Sequence, residues 1–120
     1  MIVITNYEEI INIEDIVNYY PEVERELLAV DFDNEFIIGV FQGVKGSTGF
    51  GVDIKTILLD DHKIEVYADF IGPGRWTPVG ALYTSPYQVI RVPRENISGT
   101  NTVQLIVGNE VIISQDVEFP

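Results

Sequence analysis

His62 is the only side chain in the sequence whose ordinary pKa lies close to neutrality, so acid–base or nucleophilic catalysis at pH 7 has one natural candidate. It follows Asp60 and Asp61 directly. A serine, His62 and either aspartate can be written as a triad, but neighbouring residues of a hairpin turn point outward into water and not into a shared cleft. We therefore assign no catalytic residue and expect no enzymatic activity. The run Asp31-Phe32-Asp33-Asn34-Glu35 offers oxygen atoms at alternate positions, as a hard cation prefers. It lacks the central glycine and the twelfth-position glutamate of a calcium loop, and Asp33-Asn34 reads as a turn before a strand. A cation at Asp31, Asp33 and Glu35 is not assigned, and no cofactor follows from any other residues. Catalysis by these carboxylates alone would need a deep cleft and a raised pKa on one acid.

Two other clusters suit binding better than chemistry. Gly46-Ser47-Thr48-Gly49-Phe50-Gly51 is rich in glycine but has neither the Lys-Ser/Thr pair of a phosphate loop nor a following helix. A strand follows it, so the glycines serve a turn or a close backbone approach. Downstream, Arg75, Trp76, Tyr83 and Tyr87 stand among prolines and glycines. Arg, Trp and Tyr dominate protein interfaces because they combine large rigid area with a polar handle. Ser47, Thr48, Gly49, Phe50, Arg75, Trp76, Tyr83 and Tyr87 are therefore the candidate protein-binding residues. Asn96-Ile97-Ser98 fits a glycosylation acceptor, a three-residue pattern that carries little weight.

Composition narrows the classes of function. Seven basic residues against 19 acidic give a net charge of −12, which repels nucleic acid and anionic lipid alike. The acidity is concentrated: residues 1–35 hold ten acids and one base. The chain has no cysteine, which removes disulfides, zinc–thiolate sites and a thiol nucleophile. Its 120 residues, 46% hydrophobic and 22% charged, suit one domain, 1–120, with a core of its own. Met1 to Glu9 lack the basic flank and apolar run of a signal peptide, and no window approaches a membrane span. The expectation is an acidic, soluble protein, cytoplasmic as it stands or a domain of an exported one.

The elements that must hold the candidate loops follow from periodicity. Met1 to Ile4 reads as a strand, and Thr5/Asn6 before Glu8/Glu9 as a helix N-cap with a capping box. Ile10, Ile13, Ile16, Val17 and Tyr20 form one apolar stripe, and Pro21 closes or restarts the helix. Phe36 to Phe41 is a continuous apolar run, predicting a central strand covered on both faces. Phe50 to Leu59 alternates with a slip at Ile57-Leu58-Leu59 that a bulge would explain. Asp60-Asp61-His62 then turns into a half-buried strand over Ile64 to Phe70, making an antiparallel hairpin. Ile71 to Pro86 is irregular. Strands follow at Tyr87 to Pro93, Thr102 to Val107 and Val111 to Phe119, the last two joined across Gly108-Asn109, with Glu95 to Asn101 as a connection. The predicted class is α+β or mainly β: a mostly antiparallel sheet or β-sandwich-like domain with an N-terminal helix packed on it. The expected core is Ile37, Val40, Phe50, Val52, Ile54, Ile64, Val66, Phe70, Val89, Val103, Leu105, Val111 and Ile113.

Val30-Asp31-Phe32-Asp33, the strand from Phe36 to Gly43, Thr48-Gly49-Phe50-Gly51-Val52-Asp53-Ile54, and Leu82 to Arg94 with its Thr84-Ser85-Pro86-Tyr87 occur in an order and spacing that resembles the PrcB-like family of protease-complex accessory domains. The resemblance spans Val3 to Arg94. It departs at Thr48-Gly49-Phe50, where the family usually shows Gly-Gly-Tyr, so no tyrosine hydroxyl contact carries over. The resemblance implies a non-enzymatic subunit that stabilises or regulates a protease, with a peptidase as the candidate protein partner. Ser47-Thr48-Gly49-Phe50 is also similar to the threonine–glycine–aromatic loop of chagasin-type cysteine-protease inhibitors, with Gly72 to Trp76 in the place of a second loop. A β-rich interaction domain unrelated to proteases is the remaining alternative. All three use the same geometry: an up-and-back hairpin brings Gly46 to Gly51 and Gly72 to Tyr83 to one end of the sheet.

Overall fold

The structure is a computed structural model that describes residues 1–11, 21–75 and 78–120. Along the chain run β1 (Ile2–Ile4), α1 (Glu8–Ile11), α2 (Pro21–Leu28), β2 (Glu35–Phe41), β3 (Gly51–Asp60), β4 (Lys63–Ile71), β5 (Tyr87–Pro93), β6 (Gly99–Val107) and β7 (Glu110–Phe119). The strands form two sheets, β1-β2-β5 and β3-β4-β6-β7. All pairs are antiparallel except β4 with β6, which run parallel from Lys63↔Thr102 to Ala68↔Val107. The parallel pair departs from uniform alternation for a topological reason. Between β4 and β6 the chain crosses to the other sheet as β5 and returns, the kind of crossover that parallel neighbours require.

Phe36, Ile38 and Val40 on one face of β2 meet Ile64, Val66, Ala68, Val103, Leu105 and Phe119 of the second sheet in the main core. Phe36 and Phe119 meet edge to face with ring centroids 5.0 Å apart, the arrangement their quadrupoles favour. The other face of β2 is covered too. Ile37 joins Ile4, Val30, Phe32 and Leu27 of α2 in a second cluster, which explains why β2 lacks polar alternation. Gly39 leaves room for this: a Cβ there would lie 2.7 Å from Ile2 Cγ1 of the paired strand.

The class is mainly β, with antiparallel and mixed sheets. The expected N-terminal helix is described only over Glu8–Ile11, and the side chains of its stripe, Ile10 to Tyr20, lie outside the described residues. Its cap is as expected. Glu9 N–H donates to Asn6 Oδ1 at 3.0 Å and Thr5 Oγ1 donates to Glu9 Oε1 at 2.6 Å. Pro21 opens α2, the helical position where a missing N–H costs nothing.

Two details of the second sheet differ from the sequence reading. The slip in β3 falls between Ile54 and Thr56 and not at Ile57-Leu58-Leu59, with Lys55 as the extra residue. A second shift lies opposite Leu105/Ile106, where Ile112 is the extra residue of β7. That insertion reverses the side-chain parity, so Val111, expected in the core, pairs with Ile106 and is exposed. Phe50, Val52, Ile54, Phe70, Val89 and Ile113 are half-buried, whereas Phe36, Ile38, Val92 and Phe119 are buried core positions absent from the expected list.

Candidate functional site

Each candidate loop crosses from one sheet to the other. Residues 42–50 join β2 to β3, and residues 72–86 join β4 to β5. Since Gly51 at the start of β3 pairs with Ile71 at the end of β4, both loops emerge at the same end of the sandwich, as the hairpin argument requires. Gln42 anchors their base: its N–H donates to Pro86 O at 3.0 Å, and its Nε2 to Ile71 O at 3.3 Å.

Above that base the loops are laced together. Lys45 and Thr84 exchange two backbone hydrogen bonds of 2.8 Å as an isolated bridge. Thr84 Oγ1 donates to Ser47 O at 2.8 Å. Thr48 bonds twice to Gly80: its N–H donates to Gly80 O at 3.1 Å, and its Oγ1 accepts from Gly80 N–H at 2.7 Å. Gly49, at φ +91°, takes a left-handed conformation that a side chain would strain, and a Cβ there would sit 3.0 Å from Pro73. Phe50 lies half-buried beneath, its ring near Gly72 and 5.4 Å from Lys45 Nζ, within cation–π range.

The sequence-selected residues thus divide by task. Ser47, Thr48 and Gly49 are lacing, and Phe50 is a support. Tyr87 stacks on Phe41 at 5.8 Å between centroids and donates to Glu22 Oε2 at 3.4 Å, so it braces the strand behind the loops. Tyr83 is the residue held outward, 83% exposed. Arg75 lies in an exposed turn, and Trp76 lies outside the described residues. Sequence reasoning missed the aliphatic members of this end. Val44, Val79 and Leu82 are 64%, 45% and 62% exposed, and nothing in periodicity distinguishes an outward valine in a loop from an inward one.

The catalytic and cation candidates sit elsewhere. His62 and Asp61 form the two-residue turn between Asp60 and Lys63, both with positive φ, at the opposite end of β3 and β4. Asp31 turns its carboxylate inward to its own turn: Oδ1 accepts from Asp33 N–H at 3.1 Å and Oδ2 from Asn34 Nδ2 at 2.7 Å. That is the Asx-turn use of aspartate. A depression beside it is lined by Thr5, Tyr7, Phe32 and Arg94, with Tyr7 packed edge to face on Phe32 at 4.6 Å and Arg94 Nη1 donating to Phe32 O at 3.2 Å. These contacts hold the turn before β2. Among the described residues no helix is long and apolar enough to cross a membrane.

Residues 36–93, running from β2 through both loops to the end of β5, match the family model described as PrcB C-terminal. The match is narrower than the Val3 to Arg94 span of the sequence resemblance. No curated protein and no solved structure matches the chain at a significant level.

Proposed function

We propose that this chain, whose residues 36–93 match the PrcB C-terminal family model, is a non-catalytic accessory domain that stabilises or regulates a protease, with residues 1–120 acting as one unit. The observation that carries the reading is the pair of interlaced loops holding Val44, Val79, Leu82 and Tyr83 outward at one end of the sandwich. Loops fixed in this way are already ordered before binding, which lowers the entropic cost of docking. The unit 1–120 is supported by the main core, where Phe36 and Val40 from the matched stretch meet Val103, Leu105 and Phe119 from outside it. An N-terminal helix packed on the sheet belongs to the same reading; the helix described against the first sheet is α2, whose Leu27 is buried with Ile4 and Ile37.

The docking residues we assign are Tyr83, Arg75 and Trp76 together with the three aliphatic side chains, while Ser47, Thr48, Gly49, Phe50 and Tyr87 shape the edge from behind. The chagasin-like alternative is the weaker one. An inhibitory Thr-Gly-aromatic loop would stand clear to enter a cleft, whereas Thr48 is bonded at both its N–H and its hydroxyl to the second loop and Phe50 lies half-buried beneath it. A broad edge suits a flat partner surface.

Affinity capture from the source organism, run in parallel with the wild-type chain and with Leu82→Ser/Tyr83→Ala, tests this. The expected result is a peptidase or a subunit of its complex, identified by mass spectrometry, that is retained by the wild type and lost at least tenfold in the variant, as for anchors worth about 1.4 kcal/mol or more. Equal retention by both proteins would move the interface away from this end.

A further inference from the structure

The loop end joins exposed apolar side chains to a charge pattern of its own. Residues 42–50 and 72–86 contain no aspartate or glutamate, where the chain average of 19 acids in 120 residues would give about four. Their charged residues are Lys45 and Arg75. The flanking residues 36–41 and 87–94 are also free of acids, so acid depletion extends from the loops into β2 and β5 of the first sheet. Among the described residues, the acids near the edge lie below it. Asp53 and Asp69 pair on the outer face of the second sheet, two residues below the Gly51↔Ile71 rim, with Lys55 on Asp53 at 2.5 Å, and Glu22 lies by the Tyr87 hydroxyl.

Resting on the docking reading above, we infer that the loop end binds a segment of its partner in which apolar side chains are flanked by carboxylates. A basic segment gains little there, because residues 42–50 and 72–86 offer it no carboxylate. An acidic segment meets Lys45 and Arg75 beside Val44, Val79, Leu82 and Tyr83. Of the acids just below the rim Asp53 is paired with Lys55, and the charge of the body farther off is screened by salt, since the Debye length is about 8 Å at physiological ionic strength. Charge at short range therefore selects the partner, and buried apolar area supplies the affinity.

The test uses the full chain and a phage-displayed library of random twelve-residue peptides as the probe. The selected peptides are synthesised and mapped by amide chemical shifts. The expected result is enrichment of Asp and Glu around Leu, Phe or Trp, shifts confined to residues 42–50 and 78–86, and affinity about tenfold weaker in Lys45→Glu. Lys45→Gln, which keeps a long polar side chain, gives an intermediate loss and guards against misfolding of the charge-reversed variant. Peptides that map to the loop end without acidic enrichment overturn the partner chemistry and leave the docking reading standing. Peptides that map elsewhere count against both, and a selection that yields no binders overturns the inference.

Discussion

Phe36 and Phe119 join strands of opposite sheets through an edge-to-face contact, and both side chains are essentially inaccessible to water. Truncating Phe36 removes the ring and leaves a space that two β-sheets are too rigid to fill. Phe36→Ala is therefore expected to lower unfolding stability by about 3–5 kcal/mol, measured as a drop in denaturant midpoint with little change in slope. A second residue-scale effect concerns Tyr67. Its hydroxyl donates to Glu65 Oε2 at 2.6 Å, and this bond, with smaller contributions from desolvation and the carboxylate's charge, holds the phenol above its ordinary range near 10. Because the folded-state value is raised, the contribution is complete below the unfolded pKa and disappears as pH rises through the folded one. The stability difference between wild type and Tyr67→Phe should stay constant from pH 7 to about 9 and shrink above about 10, as read by unfolding curves across that range.

Among the elements, the two hairpins of the second sheet make an informative contrast. The β6–β7 turn uses Gly108-Asn109, both with positive φ, residue types suited to a tight two-residue hairpin. The β3–β4 turn asks the same of Asp61 and His62, with φ +27° and +63°, and histidine in the left-handed region carries a steric cost. Replacing Asp61-His62 by Asn-Gly should stabilise the protein by about 1 kcal/mol, measured as a raised melting temperature. A lowered melting temperature would mean that Asp61 or His62 makes a contact worth more than the turn strain. The strands themselves were legible: continuous apolarity marked β2, alternation marked β4, and glycine–asparagine marked the last hairpin. What escaped was parity. An extra residue at Lys55 or Ile112 leaves no trace in composition, because a bulge is defined by the partner strand. Alternation alone therefore places Val111 inside and passes over Phe36 and Ile38, which share a face with Val40.

At the scale of the whole molecule, both sheets serve to bring two loops from distant parts of the chain to one end and to lace them. Sequence reasoning reached that juxtaposition through the up-and-back path of a hairpin, and it picked out Tyr83 through its residue type. It could not tell lacing residues from presenting ones. Thr48 and Thr84 become structural only when their hydroxyls find Gly80 and Ser47 across the gap, and Val44, Val79 and Leu82 become surface only when the fold leaves them uncovered. The central claim is that this end meets the protease partner. It is tested most directly by placing a photo-crosslinking amino acid at Tyr83, and for comparison at Asp61 on the opposite end of β3 and β4, roughly 30 Å away by strand rise, and irradiating each in extract of the source organism. Our account predicts a crosslink to a peptidase or its complex from position 83 and none from position 61. A peptidase crosslink from 61 with none from 83 would contradict it.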